Sequence, residues 1–273
     1  MHDPRVSIIM ATWNRGHAIG RGIQSAREQT FADWELIIIG DGPPSDTEAI
    51  IREWVKKDER IIYKRIEHVG RIAVVSNAGL AMARGEYVAI LDDDDWWLDA
   101  RKLEKQVAFM DSHPDCVACG GWYAVVDTEG TEIARVQKPE DDAAIRRVAL
   151  AANPIANSSA LFRRSLGARY DESLKQFADW DFWLMLGKKG KLYNLPEYFL
   201  AYRMWHGGSS FMYQRENARA ALRIVRRYHD DYPGYPKAIV LATAYLWYTF
   251  LPSWVRRTTN RSLSRLKKFL FSR

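Results

Sequence analysis

Apolar positions fall in short, unbroken blocks through the first ninety residues. "RVSIIMA" (5–11), "WELIIIG" (34–40), "RIIYKRI" (60–66) and "EYVAILD" (86–92) predict strands. Between them, residues 17–29, 46–57 and 71–84 carry apolar side chains at helical spacing and predict helices. Strands that are apolar on both faces and alternate with helices predict a parallel sheet covered on both sides. Ligands of such sheets bind at the carboxyl ends of the strands. Three polar stretches fall at those ends: "TWNR" after the first strand, "GDGPPSD" after the second and "DDDDWW" after the fourth.

Beyond Asp95 the pattern changes. A helix is predicted at about 100–112, then strands in "CVACGGWYAVVD" and "TEIARVQ" around the turn "TEG", then a helix near 140–151 leading to "NSSALFRRSL". "FADWDFWLMLGKKG" predicts a helix with Gly190 as its stop. "KLYNLPEYFLAYRMWHGGSS" predicts short strands and a loop, and from about 213 the pattern is mostly helical. There is no internal repeat and no low-complexity linker.

Composition narrows this picture. A chain of 273 residues, 47% hydrophobic and 12% aromatic, can bury a sizeable core, which excludes wholesale disorder and allows one large α/β domain with an appended element. Its two cysteines, Cys116 and Cys119, are too few for a disulfide framework. Three residues apart on a strand they would point to opposite faces, so both are expected as small buried side chains. The N-terminus "MHDPRVSIIMATWNR" lacks the apolar run of a signal peptide, from which a reduced, cytoplasmic setting is expected.

The net charge of +6 is unevenly spread. Residues 203–273 hold 14 Lys and Arg against three acids, whereas residues 1–202 hold 26 against 31. An acidic body and a basic end predict different partners for each.

Asp92, Asp93, Asp94 and Asp95 follow a buried strand directly. Four adjacent carboxylates need a divalent cation, basic side chains or raised pKa values. Oxygen-only ligands at a crevice suit Mg²⁺ or Mn²⁺ shared with a substrate's phosphates. The plain alternative is an exposed acidic loop with Asp99 capping the next helix. Position at a strand's carboxyl end, in register with two other polar loops, favours the metal.

These stretches, together with "NAGLAMARGEYVAILDDDDWWL", "FADWDFWLML" and "YRMWHGGSS", resemble family 2 glycosyltransferases in order and spacing over about residues 4–212. The resemblance implies the GT-A fold: an α/β, mixed, mainly parallel sheet flanked by helices. Residues 1–212 would form the transferase domain and 213–273 a helical, basic C-terminal extension. It also implies an inverting, metal-dependent transfer from a UDP-sugar to a hydroxyl of a glycan or lipid-linked acceptor, in surface polysaccharide or glycan synthesis.

Carried over position by position, Trp13 would stack on uracil within the Thr12–Arg15 loop, and Thr12 and Arg15 would join the nucleotide site. Asp41 would accept the uracil N3 proton, although the family's Asp-Asp-Gly-Ser reads Gly40-Asp41-Gly42-Pro43 here. Arg71 resembles the basic residue near base and ribose; as a plain residue it is an exposed arginine at a helix start. Asp92 and Asp93 would lie toward the ribose, and Asp94 or Asp95 on the Mn²⁺ or Mg²⁺, since four aspartates leave the frame ambiguous. Asp179 occupies the place of the catalytic base, with Ala178 where the family has Glu. Asp181 is its rival, but two residues along a helix is about 200° of rotation, so both cannot face one acceptor. In "YRMWHGGSS", Arg203 would meet phosphate and His206 the metal or phosphate, while Gly207 and Gly208 suit a closing loop.

Residues 238–255 carry no formal charge and include several tryptophans and tyrosines, and "RRTTNRSLSRLKKFLF" follows. Pro252 and the threonines argue against a spanning helix. A cationic amphipathic end beside interfacial aromatics predicts peripheral contact of 238–273 with anionic membrane at the cytoplasmic face. A packing surface or a solvated tail are the alternatives. No nucleic-acid motif accompanies the charge, and no nucleic-acid partner is expected. Two other functions compete: a catalytically inactive nucleotide- or membrane-binding subunit, and a sugar nucleotidyltransferase. The second should carry a glycine-rich triphosphate loop, of which "ATWNRGHAIGRG" is a poor version.

Overall fold

The computed structural model describes residues 3–42, 45–204 and 213–251. The chain opens with β1 (Val6–Thr12), α1 (Gly16–Arg27), β2 (Trp34–Asp41), α2 (Asp46–Lys57), β3 (Ile61–Ile66), α3 (Ile72–Leu80) and β4 (Tyr87–Ile90). It continues through β5 (Trp96–Trp97), α4 (Lys102–Ser112), β6 (Cys116–Val126), β7 (Glu132–Val136), α5 (Asp142–Val148) and a 3-10 turn at Asn157–Ser159. It ends with β8 (Leu161–Arg163), α6 (Ala178–Gly187), β9 (Lys191–Arg203), α7 (Gln214–Arg227) and α8 (Tyr235–Tyr248).

One mixed sheet runs β3-β2-β1-β4-β8-β6-β9-β5, with β7 paired to β6. The first four strands are parallel, and β8 enters antiparallel between β4 and β6. Alternate side chains of the parallel strands serve two cores, as a sheet covered on both faces requires. Ile8, Met10, Leu36 and Ile38 pack with Ile19 and Ile23 of α1, Ile51 of α2 and Leu103 of α4. Ile9, Ile37, Ile39 and Val88 pack instead with Ala73 and Val75 of α3 and Phe182 and Trp183 of α6. Each fully buried Ile or Leu contributes about 1.5–3 kcal/mol, so this double burial holds the carboxyl ends of β1, β2 and β4 side by side.

Two details differ from the sequence expectation. β9 is a single 13-residue strand rather than several short ones. Cys116 and Cys119 are free and buried, but both join the same core cluster. The pairing of β6 to β9 jumps from Cys116↔Lys191 to Ala118↔Leu192, so Val117 is an extra residue and the alternation of faces inverts there.

The C-terminal helices share a third cluster with the body. Ala221, Ile224 and Val225 of α7 and Ala238 and Ala242 of α8 pack on Trp180 and Leu184 of α6 and on Leu150. Arg227 of α7 donates to Asp181 of α6 and to Asp171, both at 2.7 Å.

Candidate active site

Leu91 is fully buried and its N–H bonds the Ile9 carbonyl at 3.1 Å, so the sheet runs to the last residue before the acidic loop. The loop then turns, Asp95 N donating to Asp92 O at 3.2 Å, and enters β5, whose Trp96 and Trp97 pair with Ala201 and Leu200 of β9. α1 approaches the turn through Gly22, where a Cβ would stand 2.9 Å from the Asp95 carbonyl oxygen.

The 3-10 turn Asn157–Ser159 clamps this loop. Asn157 Nδ2 donates to both Asp92 oxygens at 3.0 and 3.2 Å. Ser158 Oγ accepts from Asp92 N at 3.1 Å and donates to Asp95 Oδ2 at 2.6 Å. Asp95 Oδ1 accepts from the Arg203 backbone N–H at 3.0 Å, which ties the loop to the end of β9. Arg15 stands 3.9 Å from Asp93 and 4.0 Å from Asp94. Burial, and next the charge of Asp94, raise Asp92 to about 6 and Asp93 to about 7, and push Asp95 well above the usual carboxylate range. Crowded, desolvated carboxylates of this kind lack positive charge.

That deficit is what a divalent ion would fill, and the all-oxygen donor set fits Mg²⁺ or Mn²⁺. Among the described residues no three His, Cys, Asp or Glu side chains form a metal-holding group, so phosphate oxygens and water would complete such a shell. His206, Gly207 and Gly208 lie outside the described residues.

The acidic loop and Asp179, in the first turn of α6, line one cleft of about 1090 Å³. The residue before that helix, Phe177 of the cleft wall, has φ 57°, a strained conformation for a bulky side chain that sets the direction in which α6 begins. Asn153 Nδ2 donates to Asp179 Oδ2 at 2.6 Å. Burial raises the Asp179 pKa against the opposing effects of the α6 N–H groups, the Lys138 charge and Asn153. Asp181, 4% exposed, is engaged with Arg227, so the two aspartates face different surroundings.

The residues expected on the nucleotide side sit at the carboxyl ends of β1 and β2. Thr12, Trp13 and Asp41 line a second cavity of about 270 Å³. Trp13 is 58% exposed and stacks on His68, with ring centroids 5.3 Å apart. Asp41 accepts from the backbone N–H groups of Val69 (2.7 Å) and Gly70 (3.0 Å), and His68 Nδ1 lies 3.4 Å from its carboxylate. Arg71 is exposed, donates to the Glu172 carbonyl at 3.3 Å and lines neither cavity, although its neighbours Gly70 and Ile72 line the larger one. Arg203 joins the cleft wall with its guanidinium 5.4 Å from the Trp96 ring centre.

The fold thus gathers Arg15, Asp92–Asp95, Asp179 and Arg203 around one cleft, and Thr12, Trp13 and Asp41 around the smaller cavity. Five residues with a part in this geometry escaped the sequence reading: His68, Lys138, Asn153, Asn157 and Ser158. Only the polar run "NPIANSS" ahead of an apolar strand hinted at the last three; His68 and Lys138 gave no local signal.

Residues 7–170 match the family described as Glycosyl transferase family 2. The chain belongs to that family. It is 31% identical over 206 residues to the putative teichuronic acid biosynthesis glycosyltransferase TuaG of Bacillus subtilis, a match spanning 74% of this chain and 79% of the relative. In structure it is similar to S. aureus TarS 1–349 solved in complex with UDP-GlcNAc, with a TM-score of 0.66 and 16% identity over 98% of this chain and 78% of that one. It is also similar to the mannosyltransferase PcManGT of Pyrobaculum calidifontis in complex with GDP-Man and Mn²⁺, with a TM-score of 0.65 and 18% identity over 100% and 85% of the two chains. The family 2 glycosyltransferase therefore has the GT-A fold expected of it.

Proposed function

We propose that this glycosyltransferase moves a sugar from a UDP-sugar to an acceptor hydroxyl with inversion, assisted by Mn²⁺ or Mg²⁺, in the building of a surface polysaccharide or glycan. The observation that carries the reading is that Asp179 lines the same cleft as the charge-deficient Asp92–Asp95 loop. Trp13, Thr12 and Asp41 would hold the uracil, with Arg71 swinging in from its present partner. Asp92 and Asp93 would lie toward the ribose, and Arg15 and Arg203 toward the phosphates.

Asp94 would hold the metal, with lone pairs left on Asp95 to share it and His206 as a further ligand. A divalent ion there would neutralise the two phosphates as UDP leaves. Asp179 would take the proton from the acceptor hydroxyl as its oxygen attacks the anomeric carbon. The bond to UDP breaks on the opposite face, so an α-linked donor yields a β-linked product.

We assign 1–212 to the transferase domain and 213–273 to a C-terminal extension, whose described helices α7 and α8 wall the proposed acceptor end. Leu241, Ala242, Tyr245 and Tyr248 of α8 line that end of the cleft, an apolar setting suited to a lipid-linked or glycan acceptor. On another side of the same helix Val240 and Trp247 are exposed, as a peripheral contact with anionic membrane at the cytoplasmic face requires. Among the described residues no helix is long and apolar enough to cross a membrane. No nucleic acid enters the reading.

A UDP-release screen with Mn²⁺ or Mg²⁺ and a panel of UDP- and GDP-sugars tests it. Slow hydrolysis of one UDP-sugar, abolished by chelator and by Asp94→Ala, is the expected result. A protein that neither binds UDP nor releases it from any donor overturns the proposal.

A further inference from the structure

Lys138 belongs to no helix or strand; it lies on the stretch between β7 and α5, 41 positions before Asp179 in the chain. Its backbone is fixed by Trp122 of β6, whose Nε1 donates to the Lys138 carbonyl at 3.1 Å. Its side chain lines the cleft, and Nζ donates to the Asn153 carbonyl at 2.7 Å. The side-chain amide of the same Asn153 donates to Asp179 Oδ2 at 2.6 Å. Two hydrogen bonds, one to the backbone and one from the side chain of Asn153, thus link the ammonium through that residue to the carboxylate facing the acceptor.

We propose that Lys138, acting through Asn153, is the positioning residue of Asp179. The lysine fixes the Asn153 backbone, and the asparagine amide holds Oδ2, so that the carboxylate keeps one orientation and offers its remaining lone pairs to the acceptor hydroxyl. The ammonium also supplies the positive charge that keeps Asp179 able to accept a proton. The proposal rests on the reading of Asp179 as base, and two further observations support it. A half-buried lysine is held here although burial lowers its pKa to about 8, and the charge that favours its protonated form is that of Asp179. The N–H groups of residues 179 and 180 in the first turn of α6 and the Asn153 amide also act on Asp179. Asp92 of the acidic loop and the Tyr170 hydroxyl also feel its charge. Of these, only Lys138 is a cation.

The test uses the full chain labelled with ¹³Cγ aspartate, with no donor or acceptor needed. The Asp179 signal is assigned by its loss in Asp179→Asn and followed across pH. Lys138→Met is expected to move the Asp179 midpoint upward, and Lys138→Arg to return it toward wild type. Lys138→Gln provides the same comparison if the Met variant fails to fold. A midpoint that stays put in a folded Lys138→Met or Lys138→Gln overturns the proposal. In turnover, Lys138→Met should slow UDP release about tenfold to a hundredfold, with UDP–Mn²⁺ affinity and donor KM unchanged. A matching loss of UDP–Mn²⁺ affinity would mean a general structural role and would also overturn it. Retained transfer in Asp179→Asn overturns the base reading instead, and the carboxyl titration separates that failure from one at Lys138.

Discussion

Ser158 Oγ sits between two aspartates, accepting from the Asp92 N–H and donating to Asp95 Oδ2. Ser158→Ala would leave the 2%-exposed Asp95 without its hydroxyl partner. A loss of about 1–3 kcal/mol in urea unfolding is expected. The acidic loop also has a pH signature with a definite sign. Asp92 at about 6 and Asp93 at about 7 lie above the ordinary 3.8, so the fold favours their protonated forms. Their contribution to stability is full below about 4 and is lost as pH rises through about 6 to 7. A bound divalent ion offsets that loss, so Mn²⁺ should raise the melting temperature more at pH 8 than at pH 5. Equal increments at the two pH values would sink the assignment of metal to this loop. With Asp179 in its proposed role as base, Asp179→Asn should bind UDP and Mn²⁺ normally yet lose about 10²–10⁴-fold in transfer. Loss of UDP binding in that variant would instead make Asp179 structural.

At the level of elements, α1 owes its closeness to the acidic turn to one glycine. A Cβ on Gly22 would stand 2.9 Å from Asp95 O and 3.2 Å from Met10 Cε, and the first of these neighbours is backbone. Gly22→Ala should therefore push α1 from the turn, costing about 1–3 kcal/mol by thermal unfolding and weakening Mn²⁺-dependent UDP binding. Unchanged UDP binding would show that the turn does not depend on this contact. The alternating blocks made α1–α3 and β1–β4 legible, because burial on both faces leaves a plain pattern in the chain. β9 was not legible as one strand because Pro196 interrupts it, and a proline demotes a strand in any sequence reading. The fold accommodates it with a bulge: pairing to β6 jumps from Gly121↔Leu195 to Trp122↔Tyr198, leaving Pro196 and Glu197 out of register. The site divides in the same way. Asp92–Asp95 and Asp179 stand in local motifs, whereas Asn157 and Ser158 meet the acidic loop across more than sixty positions, through the insertion of β8 between β4 and β6. No spacing in the chain encodes such a meeting.

Across the whole molecule, charge and apolar surface point the same way. The acidic body holds the cleft, while residues 203–273 carry 14 Lys and Arg against three acids. The last described helix and the residues just after it carry exposed aromatics, Trp247 at 70% and Phe250 at 53% exposure, with their rings 6.3 Å apart. Aromatic rings beside a basic run favour an anionic lipid surface through two separable terms. Each basic residue near the surface adds about 1 kcal/mol, and buried rings add an apolar term that salt does not screen. The full chain should therefore sediment with vesicles containing phosphatidylglycerol and not with pure phosphatidylcholine. Raising salt from 0.15 M to 1 M shortens the screening length from about 8 to about 3 Å and should release most of it. Trp247→Ser with Phe250→Ser, both on the surface, should weaken the remaining salt-resistant binding while leaving UDP release intact. If the wild-type chain fails to sediment with anionic vesicles at low salt, the basic end serves another partner. The apolar end of the cleft that we propose for the acceptor would then favour a soluble glycan over a lipid-linked one.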